Sequence, residues 1–353
     1  MKKLFLIPVA VLLLVGLILG GCTQPAPSTP APAPTPTPAP EAKKPVELSI
    51  VMFIPDIPPG NAWTHMLADK VASKSKGELT IKIVGGPEAI PTPDLPAAAQ
   101  RGSVDIANVM HTYADTLAPG IDCIGRAEYA PAELRVNGCL DYAQELCNKA
   151  GLYYLGASSP SEPQQQLALF VNKEIKTFND LKGLKIAAPG GDHKAMIEAF
   201  GSTCLPINFM DFYTGMERGT IDGYTIGVPG IQDFGLEPVT KYMLDELFTS
   251  NGAAFLVNME KWNSLSQAHK DILTEAAKET EIEGVQVYKD LCDKVRKEIS
   301  AAGVKVITFA SHDDSVKYYK SYRDAMAADD LSKNANVAKF QKFTLNPDFY
   351  RLK

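Results

Sequence analysis

Five aromatic or long apolar side chains stand at or near the ends of predicted strands and helices, where they could contact a small organic molecule. They are Phe53, Met110, Tyr113, Phe209 and Tyr224. An aromatic ring offers a broad apolar face, and a tyrosine adds a hydroxyl that can hydrogen-bond a ligand. Each of the five can equally be an ordinary core residue. The sequence therefore predicts an apolar binding surface from the set, not from any single member.

Motifs for catalysis or for a bound metal do not accompany these residues. The sequence contains no nucleophile elbow, Walker A loop, dinucleotide fingerprint or zinc motif. Its five histidines are scattered, without i, i+4 pairs or cysteine partners. We interpret His111 as a solvent-exposed loop residue, with contact to a ligand as the alternative. The prediction is a protein that is not an enzyme and that needs neither metal nor cofactor.

Charge and cysteine content narrow the class of protein further. The net charge is −6 and no Lys/Arg run is present, which argues against a nucleic-acid partner. Five cysteines follow Cys22, an odd number whose spacing fits no disulfide framework. Cys139 and Cys147 share a predicted helix about 12 Å apart, too far for a bridge. We expect mostly free, buried thiols. One disulfide bridge among these cysteines is the alternative.

The N-terminus has the pattern of a secretion signal. Lys2 and Lys3 precede an apolar run that ends in Gly20-Gly21-Cys22. We predict a signal peptide over residues 1–21 and lipidation of Cys22, because this ending looks like a bacterial lipobox. An uncleaved membrane anchor is disfavoured, since a run of about 16 apolar residues is short for a span. Residues 22–45, rich in Pro, Ala and Thr, form either a spacer toward a membrane partner or a plain tether.

Strand and helix patterns alternate through the rest of the chain. The first group predicts strands at 47–53, 79–84 and 104–108, and helices at 62–74 and 95–101. This alternation predicts a parallel sheet flanked by helices. A second group predicts strands at 165–171, 185–187 and 221–223, with helices at 193–200 and 210–218. A return strand at 254–258 and a long helix at 267–302 complete the pattern.

Several segments, in order, resemble one protein family. They are 102–106, 178–190, 215–223, 235–242 and 262–266. Together they resemble the solute-binding proteins of tripartite ATP-independent periplasmic (TRAP) transporters, the DctP-like family. The resemblance implies an α/β, type II periplasmic binding protein fold, with two α/β lobes around a central cleft and a long helix spanning both. The implied lobes are 46–163 with 252–290, and 164–251 with 291–353.

Two positions depart from the family pattern where it matters for the ligand. Ala187 stands at the position of the arginine that grips a ligand carboxylate in the family, and Ile226 stands where many members have asparagine. Neither can make the bidentate, charge-assisted contact of an arginine. We expect the usual clamp to be absent, unless another donor replaces it. Gln166 could offer neutral hydrogen bonds, although it can also be an exposed polar residue.

The resemblance implies a receptor rather than a catalyst. We expect a protein lipid-anchored on the periplasmic or extracellular face, which captures a small organic solute and delivers it to the permease subunits of a TRAP transporter. Hinge closure of the two lobes would trap the solute. A ligand-sensing lipoprotein that feeds a signalling partner is the alternative. An envelope enzyme is disfavoured because no nucleophile and base can be paired in the sequence.

Overall fold

The computed structural model describes residues 45–56, 61–158, 167–188, 193–248 and 252–347. The strands in these ranges are β1 (Val46–Met52), β2 (Leu79–Gly85), β3 (Ile106–Met110), β4 (Leu152–Ala157), β5 (Leu167–Val171), β6 (Lys185–Ala188), β7 (Thr203–Pro206), β8 (Gly223–Gly227), β9 (Tyr242–Phe248), β10 (Ala253–Asn258) and β11 (Lys305–Ile307). The helices are α1 (Ala62–Lys74), α2 (Leu95–Gln100), α3 (His111–Ala114), α4 (Pro131–Leu134), α5 (Cys139–Lys149), α6 (Lys194–Ala199), α7 (Phe212–Glu217), α8 (Gly230–Asp233), α9 (Met259–Ser264), α10 (Gln267–Ala301), α11 (His312–Lys333) and α12 (Val337–Thr344).

The first sheet has the strand order β2-β1-β3-β10-β4. β1 is parallel to β2 and to β3, as the alternating pattern predicts, whereas β10 runs antiparallel to its two neighbours. Both faces of this sheet are covered, since Ile50 and Val51 point to opposite faces and both are buried. The carboxyl ends of β1 and β3 therefore meet at one edge, where a loop can carry ligand contacts.

The second sheet has the order β11-β9-β5-β8-β6-β7. β6 is parallel to β7 and β8, and β5 is antiparallel to β8 and β9. Ala187 pairs with Tyr224 across β6 and β8. The two sheets and their helices confirm the α/β class and the two-lobe arrangement.

The long helix α10 links the two cores. It covers 35 residues, and the Ser266 side chain caps it by accepting a hydrogen bond from the backbone N–H of His269. Leu273 and Ala277 pack in the core of the first sheet, while Tyr288 and Val295 pack in the core of the second. The prediction of one helix that spans both lobes is confirmed.

The C-terminal helix returns to the first sheet. Val337 and Phe340 of α12 are buried in the same cluster as Cys139, and the Phe340 ring lies 4.7 Å from that of Tyr142. The expected division of the chain places 291–353 in the second lobe. The helix α12 departs from this division, because it packs on the first lobe. The reason is its apolar face, which the elements of the first lobe cover.

The cysteines behave as free thiols. Cys123, Cys139, Cys147 and Cys292 are buried and unbridged, and Cys204 is partly exposed. Burial raises the pKa of the Cys147 thiol to about 12, so this thiol stays protonated and unreactive at neutral pH. The predicted signal peptide, Cys22 and the 22–45 segment lie outside the described residues. Within the part that the structure covers, no helix is both long and apolar enough to span a bilayer.

Candidate functional site

Helix α1 begins between the two cores. Leu67 and Val71 pack with the first sheet, whereas Trp63 joins the apolar cluster of the second sheet. The Trp63 ring lies 5.9 Å from the ring of Tyr288 on α10. The first turn of α1 therefore connects the two lobes at the edge where β1 and β3 end.

The first sheet places three predicted contact residues at or just beyond the carboxyl ends of β1 and β3. The backbone N–H of Phe53 donates to the carbonyl of Asn108 at 2.9 Å, and Met110 ends the same strand, β3. Tyr113 follows in α3. All three side chains are half-buried, so each keeps surface that a ligand can reach. Their contact with a ligand stays a prediction.

A buried polar network lies behind these residues. The Asn108 side chain donates to the Thr64 hydroxyl at 2.6 Å and accepts from the Ser158 hydroxyl at 2.6 Å. The Asn108 side chain connects α1 and the segment after β4 to β3. This network fixes the positions of these elements where β1 and β3 end. Sequence reasoning missed this network, because single Asn, Thr and Ser residues carry no recognisable pattern.

His111 is a buried residue, and its interpretation as an exposed loop histidine is wrong. It is 2% exposed, with Nδ1 bonded to the carbonyl of Gly252 and Nε2 2.9 Å from the Tyr154 hydroxyl. The ring closes the end of β3 against the chain that re-enters from the second sheet. Burial lowers the pKa of His111 to about 4, so the ring is neutral at physiological pH. With both nitrogens occupied, it offers no polar atom to a ligand.

The second sheet buries the other predicted residues more deeply. Ala187, Tyr224 and Ile226 belong to one apolar cluster, and their exposed fractions are 0%, 0% and 5%. The Tyr224 ring stacks on Phe170 at 5.2 Å, and its hydroxyl lies 2.7 Å from the Thr240 hydroxyl. In this conformation Tyr224 is a core residue, because it has no surface on which a ligand could stack.

The space around Ile226 and Phe209 is shaped by neighbouring residues. A Cβ at Gly230 would lie 2.6 Å from two Ile226 carbons, so only glycine lets the strand and α8 approach this closely. Phe209 is half-buried, stacks on Phe234 at 5.5 Å and meets Phe212 edge-on. Phe209 thus retains an exposed part beside the apolar cluster. Gln166 lies outside the described residues.

Trp63 is the residue that sequence reasoning did not place in the site. It lies within the predicted helix at 62–74, but no motif in the sequence marks it as a contact residue. Its indole Nε1–H is buried and has no hydrogen-bond partner among the described residues. Such a donor is costly unless a ligand, water or a moving group satisfies it. The arrangement can therefore bind a largely apolar solute and donate one hydrogen bond to it.

Comparison with known proteins agrees with this architecture. A family model described as bacterial extracellular solute-binding protein, family 7 (DctP), matches residues 141–325. The monocarboxylate 2-oxoacid-binding periplasmic protein of Nostoc sp. is 24% identical over 253 residues, which cover 69% of this chain and 68% of that protein.

Two solved structures share the fold. A TRAP periplasmic solute-binding protein from Rhodobacter sphaeroides, in an apo open structure, has a TM-score of 0.71 and 21% identity, covering 85% of this chain and 96% of its own. A second one, from Desulfovibrio salexigens with bound orotic acid, has a TM-score of 0.70 and 19% identity, covering 87% and 99%. At this identity the likeness establishes the fold alone.

Proposed function

Because this chain belongs to the bacterial extracellular solute-binding protein family 7, we propose that it is the receptor of a TRAP transporter and that its cleft holds the solute without an arginine clamp. The receptor captures a small organic solute between the two sheets and delivers it to membrane permease subunits. The receptor functions through a difference in solute affinity between its open and closed forms. A solute that binds the closed form better shifts the lobes toward closure.

The burial of Ala187 carries the clamp part of this proposal. Ala187 is fully buried among apolar and aromatic side chains, next to Tyr224 and in one cluster with Ile226. Methyl and butyl groups cannot hydrogen-bond a carboxylate, so neither position can replace an arginine. This supports a solute whose buried part is apolar or aromatic.

The polar contact of the solute comes from neutral donors. The indole N–H of Trp63, which lacks a partner among the described residues, supplies one hydrogen bond, while Phe53, Met110 and Phe209 supply half-buried apolar surface. Gln166 is proposed as a further neutral donor. Of the proteins named above, the one with bound orotic acid holds a planar ring acid, and we propose that a solute of this shape is held by the neutral donors of this cleft.

The receptor is proposed to work on the outer side of the membrane, tethered through a lipid on Cys22. The lipobox-like ending before Cys22 supports this tether. A Cys22→Ser variant should lose the lipid and leave the membrane fraction, which mass spectrometry of the N-terminal peptide and fractionation would detect. A wild-type chain without lipid would contradict the tether and leave solute binding untouched.

A thermal-shift screen tests the receptor function. The chain from residue 23 onward is heated with simple carboxylates and, separately, with neutral or aromatic solutes. A solute at about 100 times its dissociation constant should stabilise the protein by roughly 2.7 kcal/mol. We expect stabilisation by aromatic or neutral compounds. Stabilisation by small aliphatic carboxylates alone would contradict the apolar cleft, and no stabilisation by any class would contradict solute capture.

A matched pair of variants then places the hit in the cleft. Phe209→Ala should weaken binding because it removes the half-buried ring beside the cluster. Met210→Ala, next in the chain and 76% exposed, is the control and should bind as the wild type does. If both variants bind the solute with equal affinity, Phe209 is not part of the binding site.

A further inference from the structure

A second recess lies away from the cleft, on the edge of the first sheet formed by β4. It is enclosed by α4, α5, β4 and the middle of α10, and it holds about 460 Å³. Pockets for small organic ligands usually hold about 300–1,000 Å³. We call this recess the Arg135 groove. Its lining residues used below are Arg135, Val136, Leu140, Tyr153, Lys278, Glu281 and Ile282.

A buried ion pair forms the floor of the groove. Glu281, whose side chain is 3% exposed, accepts hydrogen bonds from Arg135 Nε and from the backbone N–H of Ala157 at 2.6 Å. A Cβ at Gly156 would lie 2.6 Å from Arg135 Nη2 and 2.7 Å from Glu281 Oε1, so β4 closes tightly over the pair. Burial raises the pKa of Glu281, and the charge of Arg135 opposes that rise. Three contacts hold the ion pair in one geometry: the hydrogen bond between Arg135 and Glu281, the Ala157 N–H and the close approach of Gly156.

One edge of the Arg135 guanidinium is left for another partner. Its Nε faces Glu281, and its Nη2 donates to the Leu155 carbonyl at 3.3 Å. Its Nη1 has no acceptor within the described ranges, although the side chain is only 17% exposed. A guanidinium edge that is partly desolvated and unpaired is well suited to bind a carboxylate. Lys278 adds a second positive charge on the lining, and Asp141 and Glu281 are its two acidic residues.

The walls of the groove are apolar and partly exposed. Val136 is 85% exposed and Ile282 is 65% exposed, and Leu140 and Tyr153 also line the recess. Large exposed apolar side chains on both sides of one recess indicate a surface that a ligand covers. The groove thus combines the Nη1 edge of Arg135 with apolar walls.

We propose that the Arg135 groove binds a small amphipathic carboxylate, with its head on the Nη1 edge of Arg135 and its aliphatic body between Val136 and Ile282. This site is separate from the solute cleft, because it lies against β4, at one edge of the first sheet, and none of its lining residues belongs to the apolar cluster around Ala187. It does not depend on the proposed function.

The two tryptophans of the chain report on the two regions separately. The Trp262 ring stacks on Tyr153 of the groove at 3.6 Å, whereas Trp63 lies in the cluster of the second sheet. The chain from residue 23 onward is titrated with octanoate in two variants. Trp63→Phe keeps the groove reporter, and Trp262→Phe keeps the cleft reporter. We expect a saturable fluorescence change only where Trp262 is present.

Matched variants and a neutral probe complete the test. Ile282→Asp places a negative charge on the wall and should weaken octanoate binding at least about tenfold, which corresponds to about 1.4 kcal/mol. Val84→Asp, at a 51% exposed position of β2, is the control and should leave binding unchanged. Octanamide, which lacks the charge, should also bind at least about tenfold more weakly.

Three results would overturn the proposal. The first is no saturation by octanoate at millimolar concentration. The second is a fluorescence response of Trp63 without one of Trp262, which would place octanoate in the cleft. The third is equal binding by Ile282→Asp and Val84→Asp, which would show that octanoate binds elsewhere on the surface.

Discussion

The Ala187 cluster (Ala187, Tyr224, Ile226 and Trp63) and the ion pair at the floor of the Arg135 groove (Arg135 and Glu281) are both largely shielded from water but are built from opposite chemistry. In the cluster, apolar side chains surround Ala187, which is predicted from the sequence to stand where the family has an arginine. In the groove, an arginine and a glutamate are buried together at the outer edge of the other sheet. A buried charge persists only when a partner compensates its desolvation. This chain therefore keeps its compensated charge at the edge of the first sheet, whereas the cluster beside its cleft is apolar.

Breaking the ion pair of the groove should have the largest effect. Arg135→Met leaves the Glu281 carboxylate buried without its counter-charge, and we expect a loss of about 3–5 kcal/mol in the free energy of unfolding. Urea unfolding at neutral pH measures this loss. The double variant Arg135→Met/Glu281→Leu removes both charges and should recover most of it.

The pH dependence of Arg135→Met gives a second readout of the same pair. Without Arg135, the folded-state pKa of Glu281 rises further above its ordinary value of 4.5. A raised carboxyl pKa means that the protonated form is favoured in the folded state, so the penalty is absent below pH 4.5 and grows as the pH rises. A penalty that stays constant between pH 4.5 and 7.5 would show that Arg135 acts through packing alone.

Adding a charge to the cluster is the converse experiment. Ala187→Arg puts an unpaired guanidinium into a fully buried apolar position, and we expect a loss of about 3 kcal/mol in stability. Lys185→Arg, at an exposed position of the same strand, is the control and should change little. If the family clamp can be rebuilt, a simple carboxylate such as acetate should restore part of the lost stability in a thermal-shift assay. Restoration by acetamide as well would exclude a clamp.

The sequence predicted part of the elements well, because their patterns are local, whereas β4, β7, β9 and α11 were not predicted. The helix α1 and the long helix α10 lie where apolar spacing places them, and strands β1 and β2 differ from prediction by one or two residues. The carboxyl ends of β1 and β3 could also be placed at one edge, since parallel strands order their ends in the same direction. These inferences need only short-range periodicity and one topological rule.

The residues at the site were harder to assign because their roles depend on contacts distant in sequence. His111 is buried by Gly252 and Tyr154, which come from other strands and a crossing segment. Tyr224 is buried by Phe170 and Thr240. No local pattern distinguishes a tyrosine that lines a cleft from one that fills a core. The Arg135 groove could not be predicted for the same reason, because its ion pair joins residues that are 146 positions apart in the chain.

His111 contacts both regions. Its ring closes the end of β3 beside the cleft, and it hydrogen-bonds the Tyr154 hydroxyl at the groove. Its folded-state pKa of about 4 lies below the ordinary 6.5, so the unfolded chain binds a proton that the folded chain does not. The stabilisation from the neutral ring is present above pH 6.5 and is lost as the pH falls toward 4.

A His111→Gln variant isolates this contribution, because every other titrating group remains. The stability difference between wild type and variant should shrink by about 2–3 kcal/mol between pH 7.5 and 4.5. Urea unfolding at a series of pH values measures it. Parallel pH profiles for the two proteins would mean that folding leaves the pKa of His111 at its ordinary value.

The Tyr224 hydroxyl gives the smallest and most selective test of the cluster. Tyr224→Phe removes the hydrogen bond to Thr240 and keeps the ring that stacks on Phe170. Thr240 keeps its own bond to the Leu236 carbonyl at 2.8 Å, so no donor is left unpaired and the expected cost is about 1 kcal/mol. Because Tyr224 has no exposed surface, the variant should bind any solute found in the thermal-shift screen as tightly as the wild type. A loss of affinity without a matching loss of stability would show that the cluster opens when the solute binds, and it would return Tyr224 to the cleft.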